Sequence, residues 1–146
     1  MASARVIVFL DYQNVYNGAR EAFDLRGQPS RYGQIDPLRL SELLVTRHPE
    51  ASHLAGVRVY RGRPDSSRQS QAYGANMRQS DAQVQRGHGL VEVIARTLRY
   101  PSDWPQTPAQ EKGIDVALAV DFVTMAVRSE YDIGVLMSTD TDLVPA

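Results

Sequence analysis

The chain has 146 residues, of which 42% are apolar, and a net charge of −1, values typical of one globular domain with a hydrophobic core. Disulfides and thiolate metal sites are excluded because there is no cysteine, and neither a signal peptide nor a stretch near the roughly 18 apolar residues of a membrane span is visible. We therefore expect residues 1–146 to form a single soluble domain in the cytoplasm, with no membrane contact.

Apolar residues follow the patterns of four strands and four helices. Short runs of β-branched apolar residues predict buried strands, whereas apolar residues at intervals of three and four predict helices. Asp36-Pro37 also indicates a helix start, since aspartate caps a helix and proline fits its first position. In chain order we predict a strand at 5–10, a helix at about 14–23, a helix from 37, a strand at 56–60, a long polar helix at about 67–86, a strand at 90–98, an apolar helix at 115–128 and a strand at 133–137.

The alternation of strands and helices predicts an α/β fold, with a parallel sheet between helices on both faces. In such a sheet the carboxyl ends of the strands meet at one edge, where ligands bind. Asp11 follows the first predicted strand, and Asp140 and Asp142 follow the last. Asp115 begins the helix that precedes the last strand. All four carboxylates are therefore expected at the same edge of the sheet.

A cluster of carboxylates is costly to hold together without a cation. Mg²⁺ prefers oxygen ligands and needs few protein carboxylates, and such ions promote displacements at phosphorus. The pattern therefore predicts a Mg²⁺ or Mn²⁺ site.

Each aspartate also has a purely structural explanation. Asp115 could cap its helix, Asp140 and Asp142 could form a turn and a cap, and Asp11 could bind backbone N–H groups.

Basic residues are concentrated in the middle of the chain. Between residues 57 and 100 there are eight arginines against three acidic residues, a local excess of +5. Five arginines in this region could follow a phosphate backbone, although an ordinary surface helix would look similar. These are Arg61, Arg63, Arg68, Arg78 and Arg86. Lys112, the only lysine, could reach a substrate phosphate, balance the carboxylates or lie in solvent.

Asp121 is separated from the other acidic residues by helical geometry. At about 100° per residue it lies about 240° around the helix from Asp115, so the two side chains cannot point into one pocket. With Thr124 and Arg128 it forms a polar stripe on an otherwise apolar helix. A solvated face or a subunit contact is expected there.

Three segments carry a family resemblance: VIVFLDYQNVYNGAR, EKGIDVALAVDFVTMAV and YDIGVLMSTDTDLVP, at residues 6–20, 111–127 and 131–145. They cover about a third of the chain and resemble the NYN domain of the LabA-like group, within the PIN-like nuclease superfamily. The resemblance implies a Rossmann-like three-layer α/β/α sandwich with a mainly parallel sheet. The family usually continues with a helix and a strand beyond the position that matches Ala146, so these two elements are expected to be missing.

The resemblance also implies a metal-dependent ribonuclease that hydrolyses RNA phosphodiester bonds. Asp11, Asp115 and Asp140 would be the primary ligands of Mg²⁺ or Mn²⁺, and Asp142 would complete the acidic pocket directly or through water. Substrate contact or support of the site is expected from Asn14, Lys112, Ser138, Arg61 and Arg63.

Other interpretations stay open at the level of sequence. The same fold could be a catalytically silent module that binds RNA or a protein, and an acidic sheet edge would also suit a DNA nuclease or a metal-dependent phosphatase. PIN-like domains often pair, so a homodimer is also considered. Thr139 and Leu143 replace the glycine and the phenylalanine usual in the family, which is expected to alter packing and not ligation.

Overall fold

Nine elements of secondary structure form in residues 2–146, the part of the chain that the computed structural model describes. They are strands β1 (Ala4–Asp11), β2 (Ser52–Arg63), β3 (Val91–Thr97) and β4 (Ile133–Met137), helices α1 (Tyr12–Ala22), α2 (Pro37–Thr46), α3 (Ser70–Arg86) and α4 (Ile114–Val127), and a short 3₁₀ helix (Thr141–Leu143). The two helices α1 and α2 lie between β1 and β2 in the chain, and every other pair of successive strands is joined through one helix.

The four strands form one sheet in the order β3-β2-β1-β4, and every neighbouring pair is parallel. One face of the sheet packs against α1 and α2, and α3 lies on that same face, where its side chains bond to the end of β2. The other face packs against α4. The predicted α/β sandwich with a parallel sheet is therefore confirmed. All four carboxyl ends meet at one edge, as the expected position of the site requires.

Strand β1 is the buried centre of the sheet, because it pairs with β2 on one side and β4 on the other. Its side chains alternate between the two faces. Val6 and Val8 pack beneath α1 and α2, whereas Ile7 and Phe9 pack against α4. The ring of Phe9 meets that of Phe122 edge to face, with 5.0 Å between the ring centres. Burial on both faces explains the unbroken apolar run in the sequence.

Two predicted elements, β2 and α3, have a boundary that differs from the structure by three residues or more. β2 is longer at both ends than predicted, since its polar end residues still pair with β1 and β3 through their backbones. α3 begins at Ser70, three residues later than predicted, because Asp65 holds a turn before it. The Asp65 Oδ1 atom accepts hydrogen bonds from the backbone N–H groups of Ser67 (2.9 Å) and Arg68 (3.1 Å).

Asp121 belongs to an intramolecular network between α4 and the sheet. Its Oδ2 atom accepts hydrogen bonds from the Tyr60 hydroxyl (2.9 Å) and from Nη2 of Arg58 (3.1 Å). Arg58 also pairs with Glu92 at 2.7 Å. Asp121 is therefore not the free, solvated side chain that was predicted, because it links α4 to β2. The alternative of a subunit contact at this face stays a prediction.

Helix α4 also carries a line of exposed valines, which we call the valine stripe. It consists of Val116, Val120, Val123 and Val127. Their spacing of four, three and four residues places them on one face of the helix. Despite this apolar composition, no helix among residues 2–146 is long and apolar enough to cross a membrane.

The buried ring of Phe9 gives a test of this core. Its side chain is fully buried, with 0% exposed, so Phe9→Ala is expected to lower the free energy of unfolding by about 3 to 5 kcal/mol. Urea unfolding would measure the change. Phe23→Ala is the matched control, because Phe23 is 74% exposed and its loss is expected to change that free energy by less than about 0.5 kcal/mol. Equal effects of the two substitutions would contradict the packing described.

Candidate acidic active site

The carboxyl edge of the sheet holds an acidic pocket of about 220 Å³. Asp11 stands at the end of β1, Asp115 lies in the first turn of α4, and Asp140 follows β4. The structure therefore brings three of the four predicted aspartates to one pocket. It adds Glu111, from the loop before α4, as a fourth carboxylate.

Asp11 is oriented by the two residues that the sequence assigned to substrate contact or support. Its side chain is 3% exposed, and its Oδ2 atom accepts hydrogen bonds from Nδ2 of Asn14 (2.6 Å) and from Oγ of Ser138 (3.3 Å). The Oδ1 atom of Asn14 in turn accepts from the Thr139 hydroxyl at 2.8 Å. Asn14 and Ser138 therefore connect α1 and the end of β4 to the carboxylate of Asp11.

Asp140 and Asp142 occupy different positions although they are two residues apart. Asp140 lines the acidic pocket, and its Oδ1 atom caps the 3₁₀ helix by accepting from the backbone N–H of Asp142 at 2.9 Å. Asp142 is exposed on that helix and is not among the residues that line the pocket. Leu143 is buried against the α4 face of the sheet, which agrees with the packing role expected for it.

Asp115 is free of the capping role that the sequence allowed. α4 begins at Ile114, and its N-cap is Gly113, which has a φ of +77° and makes no side-chain cap. Asp115 is the second helical residue, half-buried, and its carboxylate has no hydrogen bond or ion pair with any of residues 2–146. The positive end of the helix dipole favours a negative charge at this position.

Glu111 is held in place by β2. Its Oε1 atom accepts a hydrogen bond from the backbone N–H of Gly62 at 2.8 Å. With its amide nitrogen facing Glu111, Gln13 donates to both carboxylate oxygens, at 3.0 and 3.2 Å. A side chain at position 62 would prevent this approach, since a Cβ there would lie 2.8 Å from Cγ of Glu111 and 2.4 Å from Cδ2 of Leu98.

Burial raises the pKa of the Glu111 carboxyl, and the nearby charges of Asp11 and Asp115 raise it further. The hydrogen bond from Gly62 and the charge of Arg61 act in the opposite direction but do not cancel the rise. Asp11 and Asp115 are thus close enough to Glu111 for their charges to disfavour its ionised form. The sequence signal that could have found Glu111 is its position in the loop segment that leads directly to Asp115.

The donor atoms fit a hard divalent cation. The pocket offers carboxylate oxygens and neither histidine nor cysteine, which matches the preference of Mg²⁺ and Mn²⁺. Within residues 2–146, none of the pocket carboxylates forms a salt bridge with a basic side chain, and Lys112 is exposed without one. In the same part of the chain no three acidic or imidazole groups are gathered around a common point as ligands would be.

Of the five arginines in the predicted basic track, Arg68, Arg78 and Arg86 are exposed, whereas the other two are drawn into the fold. Arg61 is 8% exposed, and its Nη2 atom donates to Oε1 of Gln79 at 2.6 Å while its guanidinium lies 4.5 Å from the centre of the Tyr12 ring. Burial lowers the pKa of Arg61. Arg63 is half-buried and donates to Oδ1 of Asn76 at 3.2 Å. These two arginines point beneath α3 because they continue the inward alternation of β2.

Comparison with known protein families places the chain in a family. The family model described as the NYN domain matches residues 5–146, which is nearly the whole chain. No curated protein and no solved structure matches significantly. The chain therefore belongs to the NYN domain family, a branch of the PIN-like nuclease superfamily.

Proposed function

We propose that this NYN domain, of the LabA-like group, is a Mg²⁺- or Mn²⁺-dependent ribonuclease that hydrolyses phosphodiester bonds of RNA in the cytoplasm. The observation that carries the proposal is the acidic pocket. Carboxylates from the end of β1, the loop before α4, its first turn and the segment after β4 face one pocket without a basic partner within residues 2–146. Family membership supports a nuclease.

Each pocket residue has a role in this proposal. Asp11, Asp115 and Asp140 would hold the ion, with Glu111 as an additional oxygen donor and Asp142 acting through water. When bound, a divalent cation acidifies water and neutralises charge on the phosphodiester. Asn14 and Ser138 keep the Asp11 carboxylate in one orientation through their hydrogen bonds. Lys112, exposed on the loop beside Glu111, would contact an RNA phosphate.

One observation favours a second candidate, a catalytically silent module that binds RNA or a protein. Within residues 2–146 the carboxylates are not gathered as a ligand set, so the nuclease requires small side-chain movements when the ion binds. Purified protein incubated with labelled RNA or DNA, first with Mn²⁺ and then with EDTA, separates the candidates. Binding of RNA without cutting would favour the silent module, and cutting of DNA alone would favour a DNA nuclease.

A homodimer remains part of the proposal. The valine stripe on α4 supports it, because its members are between 46% and 80% exposed, and a line of large apolar side chains in solvent is unusual for an isolated surface. Sedimentation equilibrium would measure the state of association. A monomer at all concentrations would contradict this part of the proposal and leave the proposed reaction unaffected.

Asp115→Asn tests the catalytic assignment. Asparagine keeps the shape of the side chain but removes the charge, so EDTA-sensitive RNA cutting is expected to fall by about 100-fold or more, while the melting temperature stays close to that of the wild type. Labelled RNA and gel analysis would measure the rate. Asp81→Asn, on an exposed position of α3, is the matched control and should cut normally. Full cutting by Asp115→Asn would overturn the assignment.

Glu111→Gln tests the electrostatics of the pocket through stability. The pKa of Glu111 is raised above its ordinary value of 4.5, so the folded protein binds this proton more tightly than the unfolded chain does. Ionisation of Glu111 therefore lowers the free energy of unfolding. This loss of stability grows as the pH rises from the pKa of Glu111 in the unfolded chain to its higher pKa in the folded protein. We expect Glu111→Gln to be more stable than the wild type at about pH 7 without divalent ions, and no different below about pH 4.

Urea unfolding across the pH range would measure this difference. Glu42→Gln, at an exposed position on α2, controls for the loss of one negative charge. A Glu111→Gln variant less stable than the wild type at neutral pH would show that the Glu111 charge stabilises the fold, contrary to the expectation.

A further inference from the structure

A second pocket, of about 340 Å³, lies beside the acidic pocket between α1, α3 and the end of β2. We call it the amide pocket, because five of its lining residues carry side-chain amides. These are Gln13, Asn17, Gln34, Asn76 and Gln79. Tyr12 and Tyr16 line it as well, with their rings stacked nearly parallel at 6.5 Å between centres. Leu98 and Pro64 supply apolar surface.

The charge of the amide pocket suits a neutral ligand. Its lining contains one basic and one acidic side chain, Arg61 and Glu111. A phosphate group would meet the carboxylate of Glu111, whereas a flat heterocycle could use the amides and the apolar walls. Planar ligands with several hydrogen-bonding edges commonly occupy pockets that combine apolar walls with a few fixed polar groups.

The floor of the amide pocket is rigid. The Gln79 amide is fixed at both ends, since its Oε1 atom accepts from Arg61 (2.6 Å) and its Nε2 atom donates to the Tyr12 hydroxyl (3.1 Å). The Asn76 amide is fixed in the same way, because its Oδ1 atom accepts from Arg63 and its Nδ2 atom donates to the Gly62 carbonyl. Each amide group retains a second N–H with no partner among residues 2–146, so the floor presents donors in fixed directions.

The rim of the pocket is different, because Asn17 and Gln34 are exposed and their side chains make no hydrogen bond within residues 2–146. Their amides can turn to offer either a donor or an acceptor. A ligand would therefore meet a fixed floor and an adjustable rim.

Glu111 lines both pockets, so the amide pocket opens next to the place where an RNA phosphodiester would lie. We propose that the amide pocket holds one unpaired nucleobase of the strand, next to the bond that is cut. This inference rests on the proposed function for the nature of the strand. Proteins that read single-stranded RNA turn a base out of the stack and bind its edges with polar side chains. Because the floor donors are fixed, the four bases should be bound unequally.

Photocrosslinking tests whether a nucleobase occupies the amide pocket, and it does not require that the protein cuts RNA. Short single-stranded RNAs carrying one 4-thiouridine at successive positions would be irradiated with the protein in EDTA, and the modified peptides mapped. We expect adducts in the segment Tyr12–Asn17 or Asn76–Gln79 from one position of the thiouridine. If neither of these two segments is labelled at any position of the thiouridine, the proposal is overturned.

Single-turnover cutting tests the same contact when the metal is present. An abasic nucleotide at one position is expected to lower kcat/KM by about tenfold or more, and replacement of that base by each of the others should give unequal rates. Gln79→Met, which keeps the side-chain length but removes the amide, should remove the base preference. Gln71→Met, exposed on the same helix and outside the pocket, is the matched control.

Asn17→Ala is a second test, which does not depend on correct folding of the Gln79 variant. Asn17 is exposed, and its side chain makes no hydrogen bond to another residue in the described chain. The substitution should weaken crosslinking in its own segment by about threefold or more. Equal cutting of abasic and intact strands by the wild type, at every position of the abasic nucleotide, would refute the base pocket and leave the ribonuclease standing. Crosslinks in the pocket without any cutting would refute the ribonuclease and leave the base pocket standing.

Discussion

Burial and charge repulsion at the carboxyl edge of the sheet are the constraint on which the acidic pocket depends. Burial raises the pKa of Glu111, and the charges of Asp11 and Asp115 raise it further, so the ionised form of Glu111 is less favourable in the folded protein than in the unfolded chain. The apolar packing of β1 on both faces of the sheet stabilises the fold against this cost. Backbone geometry then fixes where the charges stand, because parallel strands end at one edge.

Local hydrogen bonds decide how each charge is held. Asp11 is almost fully buried, and a buried carboxylate needs hydrogen-bond donors, which Asn14 and Ser138 provide. Glu111 uses the backbone N–H of Gly62, where the lack of a side chain lets the carboxylate approach. Asp115 has no such hydrogen-bond donor within residues 2–146, and its charge is favoured only by the positive end of the α4 dipole. Asp115 therefore has the fewest hydrogen bonds to lose if its carboxylate moves toward a bound ion.

Strand ends and helix starts made much of the site predictable. Asp11, Asp115 and Asp140 could be placed from the apolar pattern alone, since their positions depend on where elements end. The sequence also shows that Glu111 lies in the loop before Asp115, but it does not show how its side chain is oriented, because this depends on a contact with Gly62, which is 49 residues away in the chain. Arg61 was misjudged as part of a surface track for a similar reason. Its burial follows from the extension of β2 beyond the apolar run, and only tertiary pairing with β3 determines that extension.

Glu111 links the two pockets physically, since its side chain forms part of the wall of each. A cation in the acidic pocket would lower the pKa of Glu111, because a nearby positive charge favours the ionised form. The Glu111 carboxylate also accepts from Gln13, whose amide lines the amide pocket. A cation that moved Glu111 on binding would therefore also move a side chain of the amide pocket. If the ion and an RNA base both bind as proposed, each should change the affinity of the protein for the other by the same factor.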